Sequence, residues 1–208
     1  MNDWQIARHQ VAIAGRVTDA ETHKPMARVC VSITGMPPAF RQKLDLLEKA
    51  HSSSWESLSE RPDRAQAHSD GLFLFVDLPP GKYSLTAEAP RLGSRYGKVQ
   101  QQVTVAQDAK GNVRMVAVNF ALPPTVLRGK VTGASHKAGV AMAEVRVKGS
   151  GEYAYTDSQG QYALMRIEAG KRTVLVIAQG YKTKILPVLL DKPGMSREEE
   201  VILVRETS

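Results

Sequence analysis

Thr156-Asp157-Ser158-Gln159-Gly160-Gln161-Tyr162-Ala163-Leu164 is the stretch that decides the fold. A polar turn with a glycine feeds an alternating strand, and Gly170, ten residues past Gly160, opens a second turn into the strand Arg172 to Ala178. The pattern occurs earlier as Ser69-Asp70-Gly71-Leu72-Phe73-Leu74-Phe75, with Gly81 again ten residues on and Tyr83-Ser84-Leu85-Thr86-Ala87 behind it. Glycine at Gly71, Gly81, Gly160 and Gly170 supplies the positive φ that residues with side chains resist. Asp157 and Ser69 are placed to hydrogen-bond their own turns. Tyr83 and Tyr162 offer large apolar bodies to a core, each with one hydroxyl to place at its edge.

Outward from these turns, period-two alternation marks further strands. Val11, Ile13 and Val17 share one face, as do Val29, Val31 and Ile33, which leaves Cys30 on the other. Strands follow at Val99–Val105 and Val113–Leu122, and Pro123-Pro124 makes a stiff linker. The series then repeats: Leu127-Arg128-Gly129-Lys130-Val131 echoes Ile13-Ala14-Gly15-Arg16-Val17, and Ala143-Glu144-Val145-Arg146-Val147 echoes Ala27-Arg28-Val29-Cys30-Val31. Strands at Lys182–Leu190 and Glu200–Arg205 complete the second copy. About seven short strands per half predict an all-β chain of two tandem β-sandwiches. The expected division is an N-terminal segment 1–10, a first domain 11–123 and a second 124–208. An insertion at 36–67 sets the first copy apart. It begins with helical spacing that puts Phe40, Leu44 and Leu47 on one face, and continues from His51 to Gln66 as a polar surface loop.

The apolar-x-Gly-x-Val strand, the Ala-x-Val-x-Val strand, the Asp-x-x-Gly-x-aromatic turn and the glycine ten residues on resemble the carboxypeptidase regulatory-like domain, twice over. The second copy matches through Thr156, Asp157, Gly160, Tyr162, Gly170 and Gly180-Tyr181, and departs at Arg172, where the family usually has Tyr. The first keeps Asp70, Gly71, Phe73, Gly81 and Tyr83. The resemblance implies a seven-stranded transthyretin-like (prealbumin-like) sandwich and carries over no catalytic group, since the matched residues make turns and core. That fold also hosts a purine-pathway hydrolase and aromatic-ring dioxygenases. The hydrolase's terminal Tyr-Arg-Gly-Ser is missing here, and no Tyr/His spacing for a dioxygenase iron is evident.

Composition narrows the function. Residues 1–123 carry 15 basic and 12 acidic groups and residues 124–208 carry 13 and 9, so the net +7 divides as +3 and +4. A phosphate-tracking surface needs converging cations, and no nucleic-acid partner is expected. Cys30, the one cysteine, cannot form a disulfide within the chain. The first residues lack the basic and apolar regions of a secretory signal, and no apolar run approaches the ~20 residues of a membrane span. The expected location is therefore the cytoplasm, or a particle assembled there. His9, His23, His51, His68 and His136 form no zinc-binding spacing, and Asp157-x-Gln159-x-Gln161 has too few carboxylates for a calcium loop. With no nucleophile elbow, P-loop or dinucleotide fingerprint, no metal, cofactor or small-molecule substrate is expected, and the chain reads as a non-enzyme.

Two surfaces are candidates for binding. Phe40, Leu44 and Leu47 with Trp55 either cap the first sandwich or dock on a partner protein. Exposed aromatics from among Trp4, Trp55, Tyr96, Tyr153 and Tyr155 would suit a carbohydrate, with Tyr153 and Tyr155 sharing a strand face. The expectation is a non-enzymatic protein-binding or structural module. Its setting would be a multi-subunit complex such as a phage-tail-like contractile injection particle, and a carbohydrate-binding module is the alternative.

Overall fold

Alternating hydrophobic side chains on short segments bury one face each, so such segments must stack as sheets. A computed structural model describes residues 9–58, 61–135 and 137–206. The chain divides into two compact units. The first comprises the residues up to Arg91 and Lys98–Leu122; the second comprises Leu92–Gly97 and the residues from Pro123 onward. Among the described residues no helix is long and apolar enough to cross a membrane.

In the first unit, β1 (Val11–Asp19) lies between β4 (Leu72–Val76) and β8 (Val116–Ala117), and pairs further along with β9 (Phe120–Leu122). The other sheet has the order β3 (Arg64–Gln66), β2 (Cys30–Gly35), β5 (Gly81–Glu88), β6 (Val99–Gln107) and β7 (Val113–Arg114). Ile13, Val17, Phe73, Phe75 and Phe120 of the first sheet and Val29, Val31, Tyr83 and Leu85 of the second layer are buried. The second unit repeats this order, with no counterpart to β7 among the described residues. There β10 (Val126–Gly133) lies between β13 (Gln161–Met165) and β16 (Ser196–Glu198) and also pairs β17 (Val201–Leu203). The other sheet runs β12 (Tyr153–Tyr155), β11 (Glu144–Val147), β14 (Gly170–Ile177), β15 (Lys184–Leu190). Leu127, Tyr162, Leu164, Val145, Val174 and Val188 meet in one core cluster drawn from both sheets.

The strands outnumber the seven expected per copy because the last one breaks, once in the second unit and twice in the first, where its opening piece β7 pairs β6 instead of β1. The break that the two units share faces the mid-strand glycine of the opening motif. A Cβ on Gly15 would stand 1.6 Å from the Val118 carbonyl oxygen, and one on Gly129 1.9 Å from that of Glu199. Only glycine admits this approach, which explains a residue that otherwise weakens a strand. The turn glycines behave as expected: Gly71 and Gly160 have φ of +79° and +78°. Their carbonyls accept from Val17 N–H at 2.9 Å and Val131 N–H at 2.8 Å, tying each turn to its opening strand. Asp157 Oδ1 accepts from Gln159 and Gln161 N–H, both at 2.8 Å. In the first unit the turn carboxylate is Asp70, which accepts from Leu72 N–H at 3.0 Å, rather than Ser69.

Arg172 keeps, by other means, a tether that Tyr83 makes in the first unit. Tyr83 donates its hydroxyl to the carbonyl four residues back, Pro79, at 2.7 Å. Arg172 occupies the matching position, and its Nε donates to the carbonyl four residues back, Glu168, at 2.9 Å. Burial pushes the Tyr83 phenol up to about 12. Burial and the nearby Glu199 carboxylate do the same for Tyr162, whose hydroxyl donates to Glu199 O at 2.9 Å.

The insertion is more ordered than a polar surface loop. The helix α1 (Pro38–His51) starts on Pro38, where the missing N–H costs nothing. A 3-10 turn at Ser52–Ser57 follows, and Arg64–Gln66 is β3, paired with β2, rather than loop. Arg61 lies over the Trp55 ring at 4.4 Å and donates to both oxygens of Asp63, at 2.9 and 2.7 Å. A cation on an indole face with a bidentate carboxylate partner is a stable way to bury all three groups.

Candidate functional site

Of the two roles open to the insertion, capping the first sandwich or docking a partner, its burial fits the first. Phe40, Leu44 and Trp55 are buried and Leu47 is half-buried. Phe40 packs edge-on against Tyr83 at 5.8 Å. This apolar stripe therefore completes the first unit's core, because Tyr83 and its neighbours offer it a partner within the chain. Of the other aromatic candidates, Tyr96 is buried as well, which removes it and Trp55 as carbohydrate platforms, and Trp4 lies outside the described residues. No group of three or more His, Cys, Asp or Glu among the described residues is placed to hold a metal ion. His9 bonds Asp77, His51 stacks on Trp55, and His136 lies outside the described residues. Cys30 is half-buried beside the Ser32 hydroxyl.

Tyr153 and Tyr155 do come together. They are 63% and 52% exposed, with rings 5.8 Å apart in an edge-on arrangement, on the outer face of β12. Ala154 between them packs toward the core. An open groove of about 560 Å³ runs along one side of Tyr155, lined by Asp157, Gln161, Lys130 and Glu198. Another of about 380 Å³ touches both tyrosines with Glu144, Arg146 and Glu152. Burial raises the Glu152 carboxyl, but hydrogen bonds from Ser150 and Arg95 outweigh it and hold the group below the usual range.

The tyrosines belong to a larger surface that the sequence reading missed. Val145, Val147, Val174, Val176, Val188 and Leu190 point into the core, so strict alternation turns the residues between them outward. Sheet register then gives each a counterpart in the first unit. Ser32 faces Arg64 and Thr86, as Arg146 faces Tyr153 and Leu175. Cys30 faces Gln66 and Glu88, as Glu144 faces Tyr155 and Ile177. One strand on, Thr86, Ser84 and Lys82 meet Gln100, Gln102 and Thr104, whereas Leu175, Thr173 and Lys171 meet Ile185, Pro187 and Leu189. At seven matched sites the first unit turns out a polar or charged group. The second turns out an aromatic, aliphatic or proline side chain, with Ile185 and Leu189 60% and 42% exposed. The fold therefore does not require apolar residues at those positions. Exposed apolar side chains gathered on one face of a rigid sheet mark a contact surface.

The signal for this face was present in the sequence. Val174-Leu175-Val176-Ile177 and Val188-Leu189-Leu190 are continuous apolar runs, the pattern of a strand covered on both sides.

Residues 127–206 match the family described as CarboxypepD_reg-like domain. No curated protein matches the chain. Among solved structures, the shaft pilin SpaA from Lactobacillus rhamnosus GG is 14% identical with a TM-score of 0.43, covering 97% of this chain and 98% of that one. The Bacillus anthracis TIE protein is 13% identical with a TM-score of 0.40, covering 94% of this chain and 34% of that one. A type II cohesin–X-dockerin complex from Acetivibrio cellulolyticus, a C-terminal interface mutant, is 21% identical with a TM-score of 0.32 over 38% of this chain and 56% of that one. This chain thus spans about half the length of the cohesin–dockerin chain and a third of the TIE protein.

Proposed function

We propose that this chain, whose second unit is of the regulatory-like kind, is a non-enzymatic binding module of two transthyretin-like sandwiches that docks another protein through the outer face of β12-β11-β14-β15. One observation carries the reading: seven outward positions that are polar in the first unit are apolar in the second. The setting we propose, by association with the resemblance, is an accessory subunit of a larger assembly such as a phage-tail-like contractile particle. The test uses a five-site graft that gives the exposed positions their first-unit counterparts: Tyr153→Arg, Tyr155→Gln, Ile185→Gln, Pro187→Gln and Leu189→Thr. Tagged wild-type chain should enrich a defined set of proteins from native lysate, and the folded graft should lose them. Identical recoveries would contradict the reading.

A second reading is favoured by the Tyr153–Tyr155 pair and its two flanking grooves. Aromatic rings beside amide and carboxylate side chains suit a carbohydrate. A glycan array with no signal above background removes it.

A further inference from the structure

Resting on that docking reading, we infer that the occupant of this face is an acidic protein segment with interspersed aliphatic side chains. The charges point to it. Arg146, Lys148 and Lys171 are exposed on the outer face, by the alternation that buries Val145, Val147 and Val174. Of the carboxylates near them, Glu144 lies 3.7 Å from Arg146, while Glu152 and Glu168, which line a groove with Lys148 and Lys171, are paired with Arg95. Lys148 and Lys171 pair with no carboxylate among the described residues. The cations Arg146, on β11, and Lys148, just past its end, sit about 7 Å apart, between the tyrosine pair and the aliphatic patch. An occupant must therefore bring carboxylates to the middle of the face and aliphatic groups to the β14–β15 side.

Size and shape narrow the occupant further. Four strands at about 4.8 Å spacing, and some seven residues at about 3.4 Å rise, give a face of roughly 450 Å². That is about half of what a globular partner covers in a standard interface, and suits one extended or helical segment. The segment lies across the face rather than adding a strand. The edge strand β15 carries Pro187, which has no N–H to offer, and β12 is three residues long. A second copy of the chain is disfavoured, because two such faces would oppose cations to cations. An anionic lipid surface would take the lysines but would press Glu144 against like charge.

Panning a random 12-residue peptide display library against the intact chain tests this, with the charge reversal K148E/K171E and the apolar loss I185Q/L189T panned in parallel. Peptides rich in Asp, Glu and aliphatic residues should be enriched. Their binding should weaken about tenfold or more in K148E/K171E and in 500 mM salt, and should also fall in I185Q/L189T. Three results overturn the proposal: enrichment of neutral or basic peptides, enriched peptides bound equally by the variants, or no enrichment. Sedimentation with phosphatidylserine vesicles, or concentration-dependent dimerisation lost in I185Q/L189T, would replace it with a lipid or a second copy. If the five-site graft loses its lysate partners while no acidic peptide is selected, the docking reading stands and the partner chemistry falls.

Discussion

Replacing Gly129 by alanine should be among the most damaging single changes in the second unit, although alanine has the better conformational propensity. Gly129 sits in β10 opposite the break between β16 and β17. A Cβ there would stand 1.9 Å from the Glu199 carbonyl oxygen, 2.7 Å from its carbon and 3.1 Å from its nitrogen. All three are backbone atoms, so no side chain can swing away, and the strand must retreat by more than about 1 Å to reach ordinary contact. The retreat breaks the bond from Glu199 N–H to Arg128 O at 2.9 Å and that from the Tyr162 hydroxyl to Glu199 O at 2.9 Å. It also loosens Val201 and Leu203, which are buried in the core. At about 1 kcal/mol per hydrogen bond, plus lost packing, the cost is at least about 3 kcal/mol. For a unit of this size that lowers the melting temperature by about 12 °C or more. Gly151→Ala is the control, because nothing lies within 4 Å of the added carbon and a surface change of this kind stays within about 0.5 kcal/mol. Scanning calorimetry of both variants reads the difference. A Gly129→Ala transition within about 2 °C of that of Gly151→Ala would refute the close approach.

Two more outcomes follow from the same unit. A hydrogen bond from Ser94, foremost, holds the Glu168 carboxyl below its usual range, with Arg95 and Arg172 adding to it; Glu152 is lowered as well. Folding gains from both groups above the ordinary carboxylate pKa of about 4.3 and loses that gain as pH falls through their depressed values. The urea midpoint should therefore drop more steeply between pH 5 and 3 in the wild type than in E152Q/E168Q, and parallel drops would contradict the assignment. Arg172→Tyr should melt close to wild type because a phenol can reach the same carbonyl, whereas Arg172→Ala should lose about 1–2 kcal/mol; equal losses would show that the tether is not shared.

Much of the fold is visible in the chain because alternation and turn chemistry are local. Val29, Val31 and Ile33 declare an inward face, and Gly71 and Gly160 declare left-handed turns. The strand β3 escapes notice because Arg64-Ala65-Gln66 has a single apolar residue, and only its pairing with β2 makes it a strand. The role of Phe40 and Trp55 is also non-local, since a stripe at helical spacing reads alike whether its partner is Tyr83 or another protein. The outer face left a local trace in the apolar runs 174–177 and 188–190, but its meaning is non-local for a related reason. Leu175 and Ile185 look like ordinary strand residues until their register is compared with that of Thr86 and Gln100, the matching pair in the first unit.

The account depends on those outward apolar side chains being surplus to the fold. Urea unfolding of the five-site graft tests this most directly, by the free energy of the second unit's transition. The prediction is an unfolding free energy within about 2.5 kcal/mol of wild type, as five surface changes of about 0.5 kcal/mol or less allow. A graft that cannot fold, or that loses most of its stability, would show that the face serves the unit's own cohesion and has none to spare for a partner.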